Sequence, residues 1–184
     1  MQTAAGSSVG RLMTGVSRFH NFGLINVVRS ERGAAELRKR FPDVRVVATE
    51  HPGWTDDVRK AADGRPVSVA LDPIGGEMSR SLMELLAPGG KLVSYGMIAE
   101  EPLSVHASTL VSKSLTVCGK NIISGWPAES SPERRSSDIA TAKQIALTLT
   151  EQFDVAATYG LDDLAGAVEH AVRPGKVGTV LIRP

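Results

Sequence analysis

A chain of 184 residues, 42% of them hydrophobic, is long enough to bury one core and too apolar to be a disordered tail. Its 21 basic and 20 acidic residues leave a formal net charge of +1, so no global field draws it onto nucleic acid or an anionic membrane. A single cysteine, Cys118, excludes an intrachain disulfide and a cysteine-rich metal site and points to a reducing compartment.

The amino end, Met1-Gln2-Thr3-Ala4-Ala5-Gly6, has no basic stretch and no apolar stretch of a leader peptide. No later apolar run approaches the ~20 residues of a membrane span, so a soluble, cytoplasmic protein without membrane contact is expected. From there, helical and strand periods alternate, the pattern of an α/β domain around a mostly parallel sheet. Val9, Leu12, Met13, Val16 and Phe19 fall on one helical face and predict a first helix. Residues 24–28 read as a short buried strand, and Ser30 caps a predicted helix over 31–41. The Arg38-Lys39-Arg40 run is read as that helix's solvated face rather than a nucleic-acid patch. Residues 44–48 predict a second strand, 54–62 a short helix, and 67–71 a strand stopped at Asp72-Pro73. Met78, Leu82, Leu85 and Leu86 form a helical stripe ending at Pro88-Gly89-Gly90, and residues 91–95 read as the next strand. Residues 115–118, with Ile122 and Ile123, look like an edge segment interrupted by Gly119. Residues 127–132 are the most loop-like. Ile139, Ala142, Ile145, Ala146, Leu149 and Phe153 line a longer helix, followed by a helix over 162–172 and a strand over 179–182. No internal repeat and no second domain is evident.

The informative stretch is Ala4-Ala5-Gly6-Ser7-Ser8-Val9-Gly10, small residues at the mouth of the first helix. Free N–H groups and partial positive charge at a helix start accept a phosphate, and small side chains let it approach. Against the G-x-G-x-x-G pattern only Gly10 survives, with Ala5 and Ser7 in the first two glycine positions, so a plain serine-capped helix start is the competing reading. Nineteen residues past Gly10, where an NAD site places an acid for the ribose hydroxyl, this chain has Arg29 and Ser30. Guanidinium and hydroxyl suit the extra phosphate of NADP; the alternative is an arginine snorkelling from a strand end.

Further strings are Ile25-Asn26-Val27-Val28-Arg29, Asp72-Pro73-Ile74-Gly75-Gly76, Ser94-Tyr95-Gly96-Met97 and Ser131-Pro132. Through these the chain, from Gln2 onward, resembles the cofactor domain of the medium-chain dehydrogenase/reductase superfamily. Within it, the chain looks closest to the zinc-independent quinone oxidoreductase and 2-enoyl thioester (trans-2-enoyl-CoA) reductase branch. The resemblance implies a Rossmann-type doubly wound, mostly parallel sheet over residues 1–184. It implies that Gly6, Ser7, Ser8 and Val9 hold the pyrophosphate, and that Arg29 and Ser30 hold the 2′-phosphate. Tyr95, Gly96, Met97 and Ile98 would border the nicotinamide, with Lys120, Asn121, Ile122 and Ile123 as a further nicotinamide-side segment. Two positions depart from the family. The usual second basic position holds Glu31, with Arg32 one further on, and Lys176 is a displaced counterpart of a lysine near the last strand.

Relatives carry an N-terminal, GroES-like substrate domain with a tyrosine acid; it is not in this sequence, and Tyr95 and Tyr159 do not match that tyrosine. No proton donor is assigned. Only Met1-Gln2-Thr3 stands for the central first strand, so the first strand is expected to be truncated, the isolated chain marginally stable, and the sequence part of a longer polypeptide. His20, His51, His106 and His170 lack metal-ligand spacing, so no metal is expected, and Cys118 reads as a small buried residue. Trp126 suits either an acyl-chain pocket or surface packing. The leading expectation is an NADPH-binding domain of an oxidoreductase acting on a small-molecule substrate, reducing the activated C=C of a quinone or 2-enoyl thioester. The alternative is a catalytically silent NADPH-binding or dimer-forming module. A homodimer through the segment bounded by Leu115 and Ile123 is implied by the resemblance.

Overall fold

A computed structural model describes residues 1–150, 154–173, 175–176 and 178–184. Strands β1 (Ile25–Val28), β2 (Arg45–Ala48), β3 (Val69–Asp72), β4 (Lys91–Ser94) and β5 (Thr116–Gly119) alternate with helices α1 (Ser8–Phe19), α2 (Glu31–Arg40), α3 (Trp54–Ala62), α4 (Gly76–Leu85) and α5 (Ala107–Ser112). β1 pairs in parallel with β2, and β3, β4 and β5 form a second parallel ladder. Gln2 joins the two, bridging in parallel to Asn26 on one side and Leu71 on the other. The Gln2 N–H donates to Ile25 O at 2.9 Å, and Thr3 N–H and Leu71 N–H bond Leu71 O and Met1 O, each at 3.0 Å. The order is therefore β2-β1-(residues 1–3)-β3-β4-β5, a doubly wound sheet with a three-residue central strand.

Beyond β5 lie α6 (Gly125–Glu129), α7 (Pro132–Thr148), β6 (Val155–Gly160), α8 (Leu164–Val172) and β7 (Thr179–Arg183). β6 and β7 pair in parallel in a sheet of their own. An Arg40–Asp154 ion pair and a 3.4 Å contact between the Ser8 and Thr179 hydroxyls tie this unit to α2 and α1.

The main core gathers Ile25, Val27, Val47, Val58, Leu82, Met83, Leu86 and Leu92 between sheet and helices. A second cluster seals α2 against β1 and β2 through Val28, Ala34, Leu37, Phe41 and Ala48. The α1 interface is built differently. Its apolar stripe does not face the sheet: Val9 and Phe19 are 56% and 58% exposed, while Gly10, Arg11, Thr14, Gly15 and Ser17 are buried. The reason is the polar centre of the sheet. Gln2 Nε2 donates to Asn26 Oδ1 at 2.7 Å and to Gly10 O at 2.8 Å, and Thr14 Oγ1 donates to Asn26 Oδ1 at 2.9 Å. Buried amides need such partners, and the small polar face of α1 supplies them.

Three local expectations change. The edge strand stops at Gly119, and Ile122 and Ile123 lie in the turn before α6, where the Asn121 carboxamide accepts the Ile123 and Ser124 N–H groups, each at 3.0 Å. Residues 127–132 are mostly the end of α6 and the start of α7, which Ser131 caps by accepting from Arg134 N–H at 3.2 Å. Helices α5 and α7 bury no residue fully, and Phe153, expected on the α7 stripe, lies outside the described residues.

Replacing Val9 or Phe19 by Ser is expected to change the urea-unfolding free energy by less than about 0.5 kcal/mol. Leu82→Ala, at a position with no exposure, should cost about 2–5 kcal/mol. Large losses at Val9 and Phe19 would reverse the assignment of the α1 faces.

Candidate functional site

The carboxyl ends of the central strands share one edge, and the loop at residues 4–9 rises from it. Ala5 N–H donates to Val27 O at 3.1 Å, holding the loop against β1. Ala4 takes a left-handed φ of 49°, and Ser7 N–H turns back to Ala4 O at 2.9 Å. Ser7 then caps α1, its Oγ accepting from Gly10 N–H at 3.1 Å. The cap and the anion site are therefore compatible: the Ser7 hydroxyl serves the helix, while the first-turn N–H groups of Ser8 and Val9 have no intrahelical acceptor. Gly6, Ser7, Ser8 and Val9 are all exposed. Gly10 is required by space, because a Cβ there would stand 2.6 Å from both Ala4 O and Ala5 Cα. This is the close helix–strand approach for which the third glycine of the dinucleotide pattern exists.

Arg11 has no counterpart in the sequence reading. It is buried, and its Nη1 donates to Gly6 O at 3.1 Å, bracing the loop from beneath. Burial, and then the nearby Arg40, pull its guanidinium below the ordinary arginine range, with Asp154 opposing. A signal was available: an arginine on the helix face that carries the small residues Gly10, Thr14 and Gly15.

Arg29 follows β1 directly, two residues past the Val27 carbonyl that anchors the loop, and it is exposed. Ser30 caps α2, its Oγ accepting from Gly33 N–H at 3.2 Å. Glu31 pairs with Arg38 at 3.6 Å. Arg32 is exposed on the first turn of α2.

After β4, Tyr95, Gly96, Met97 and Ile98 run beside the turn that follows β3. Ile98 N–H donates to Pro73 O at 3.0 Å, and a Cβ at Gly96 would lie 2.8 Å from the same oxygen. Burial, then the charge of Asp72, raise the Tyr95 phenol above its ordinary pKa, so it stays protonated at neutral pH. Asp72 is the organiser of this edge. Fully buried, it accepts from Thr3 Oγ1 at 2.7 Å, Ile74 N–H at 3.0 Å, Gly75 N–H at 3.2 Å and Ser79 Oγ at 2.8 Å. In the sequence, Asp72-Pro73 marked a strand stop and part of a family string, with no role for the Asp72 carboxylate.

After β5, Lys120 N–H donates to Ser94 O at 2.8 Å, while its ammonium pairs with Glu129 at 3.0 Å. Asn121, Ile122 and Ile123 are exposed beside it. Lys176 precedes β7, whose first residue, Thr179, meets Ser8; its ammonium donates to Gly178 O at 2.5 Å. The structure thus brings the pyrophosphate, 2′-phosphate and nicotinamide-side candidates to one edge, while Lys176 is engaged with the backbone before β7. Tyr159 instead contacts His170, OH to Nδ1 at 3.0 Å, and Trp126 Nε1 donates to Asp138 at 3.3 Å. Among the described residues no group of three or more His, Cys, Asp or Glu is placed to hold a metal ion.

A sheet with this order and a glycine-tight helix start matches the family model of the zinc-binding dehydrogenases over residues 8–135. The chain belongs to that family. Within the medium-chain dehydrogenase/reductase superfamily it stands with the quinone and enoyl reductase branch. It is 31% identical over 144 residues to the mitochondrial enoyl-[acyl-carrier-protein] reductase of Mus musculus, covering 77% of this chain and 38% of that protein. With the Homo sapiens enzyme of the same name it shares 26% identity over 180 residues, 95% of this chain and 47% of the other. The chain therefore spans less than half the length of these dehydrogenase relatives. A quinone oxidoreductase of Pseudomonas syringae superimposes with a TM-score of 0.76 at 24% identity, covering 100% of this chain and 55% of that one. A mycobacterial protein complexed with NADPH gives 0.78 at 21% identity, with the same coverages.

Gly10→Ala is expected to cost about 1–3 kcal/mol by overpacking the loop, and Ser7→Ala about 1 kcal/mol through the lost cap, both read by urea unfolding. A neutral Gly10→Ala would contradict the close approach.

Proposed function

We propose that this chain is the NADPH-binding part of an oxidoreductase that reduces an activated C=C bond, in a quinone or a 2-enoyl thioester. The observation that carries the reading is the shared edge: an open α1 start held to β1 by Ala5, with Arg29 two residues beyond the same anchor and the neighbouring Glu31 paired with Arg38. The cofactor fits what the residues offer. First-turn N–H groups of Ser8 and Val9 suit the diphosphate, Gly10 permits its approach, and the Arg29 guanidinium and Ser30 suit the 2′-phosphate, with Arg32 alongside. Two proteins of like fold, the mycobacterial one and CurA of Vibrio vulnificus, form complexes with NADPH, which favours the same cofactor here. When bound, the nicotinamide supplies the hydride, and the protein's part is orientation.

Tyr95, Gly96, Met97 and Ile98 form one wall of the nicotinamide side, and Lys120, Asn121, Ile122 and Ile123 its continuation. Met97 is 90% exposed and Ile123 92%, so neither wall excludes water by itself. In the working enzyme a substrate domain covers this edge and brings the proton donor. That same exposure favours the second reading, a module that binds NADPH without turnover. The β5 edge, residues 115–123, is the surface for a homodimer, since its outer side pairs with no described strand.

Titration with NADPH and NADH side by side tests the cofactor. The chain should prefer NADPH, and Arg29→Asp should lose about tenfold to a hundredfold of NADPH affinity while sparing NADH. Glu31→Gln should change either affinity by less than about threefold. Equal binding of the two cofactors would overturn the 2′-phosphate assignment. NADPH binding without reduction of an enone or enoyl-CoA selects the second reading. Light scattering at micromolar protein should give twice the chain mass; a monomer removes the β5 interface.

A further inference from the structure

Asp72 and Arg11 are the charged side chains buried among the described residues, and they are satisfied very differently. Asp72 accepts from four donors. Arg11, 6% exposed, has one acceptor for its whole guanidinium, Gly6 O at 3.1 Å. Its Nε is buried without a hydrogen-bond partner, and it forms no ion pair among the described residues. The nearest carboxylate that acts on it, Asp154, is paired with Arg40. A cation kept in such surroundings costs the fold.

Its position says what would gain from it. Helical side chains lean toward the amino end, so the guanidinium of Arg11 returns beneath the loop that precedes α1. Arg11 thereby holds two successive carbonyls: its N–H donates to Ser7 O at 2.9 Å and its Nη1 to Gly6 O. The other side of Gly6 is open, since a Cβ there would meet nothing within 4 Å. Residues 4–10 carry no charged side chain, and the first turn of α1 has no acidic residue. An anion at this helix start would therefore meet amide dipoles above and a buried cation below, and a buried charge is little screened by salt.

We propose that Arg11 is a positioning residue for a diphosphate held at residues 6–9. It keeps the Gly6 carbonyl on the inner side of the loop, where that acceptor does not face the anion. From the same place it supplies the positive charge that the loop's own side chains lack. The proposal rests on the cofactor reading and deepens it. NADPH and NADH share the diphosphate, so Arg11 sets the affinity for both, whereas Arg29 acts on the 2′-phosphate and separates them.

The test combines titration calorimetry of the full chain with NADPH and NADH, amide NMR titration with adenosine 2′-monophosphate, which has no diphosphate, and thermal melting without ligand. Arg11→Met keeps a long stem and removes both the charge and the donor. It should lose about tenfold or more of affinity for NADPH and NADH alike and hold the mononucleotide within about threefold. It should melt no lower than the unchanged chain, because no ion partner is left behind and the exposed Gly6 can turn its carbonyl to water. Arg11→Lys, which restores a cation and a donor, should bring NADPH affinity back to within about threefold of the unchanged chain. Unfolding of Arg11→Met, equal loss of all three ligands, unchanged NADPH affinity, or no recovery by Arg11→Lys would each overturn the proposal and leave the cofactor reading standing. Absence of NADPH and NADH binding by the unchanged chain would overturn both.

Discussion

Gln2 is the hinge point between sequence and architecture. Its backbone bridges β1 and β3, and its side chain reaches Asn26, Gly10 and Thr14, so one residue fixes the sheet centre and the seat of α1 together. Buried amide networks of this kind are costly when half satisfied: Gln2 Oε1 and Asn26 Nδ2 find no hydrogen-bond partner among the described residues. The bonds that are made therefore have to hold α1 close, and closeness is what Gly10 permits. The loop at residues 4–9 is a consequence of that docking rather than an independent feature.

The same logic runs across the edge. Asp72, with four donors, ties the central strand through Thr3 to the turn after β3 and to α4 through Ser79. Pro73 and Ile74 then hold the segment after β4 by accepting from Ile98 and Ala99 N–H. The loop end of this edge, residues 4–9, and its far end, residues 95–99, are thus connected through two short polar linkages, Gln2–Asn26 and Thr3–Asp72, side by side in the central strand. Displacing that strand would disturb both ends at once.

Much of this was legible in the sequence because it follows from period and composition. β-Branched runs gave the strands, the small-residue string gave the helix mouth, and Ser30 marked a helix start that the structure caps as serine does, whereas Ser131, read as loop, caps α7. The buried face of α1 was not legible, because hydropathy ranks Val9 and Phe19 above the glycines and threonine that meet a polar sheet centre. Arg11 and Asp72 were missed for a related reason: single charged residues carry no periodic signal, and their value lies in partners distant along the chain. Helix α5 and strand β6 escaped because their residues are mostly exposed and show no helical or alternating apolar pattern.

The central claim is that the α1 start and the end of β1 together receive a phosphorylated nicotinamide nucleotide. Amide NMR spectra recorded during NADPH titration test it most directly. Resonances of Gly6, Ser8, Val9, Arg29 and Ser30 should shift together with one binding isotherm, and those of α8 should stay largely still. Shifts confined to residues outside this edge, or movement at Arg29 without movement at Ser8 and Val9, would contradict the account.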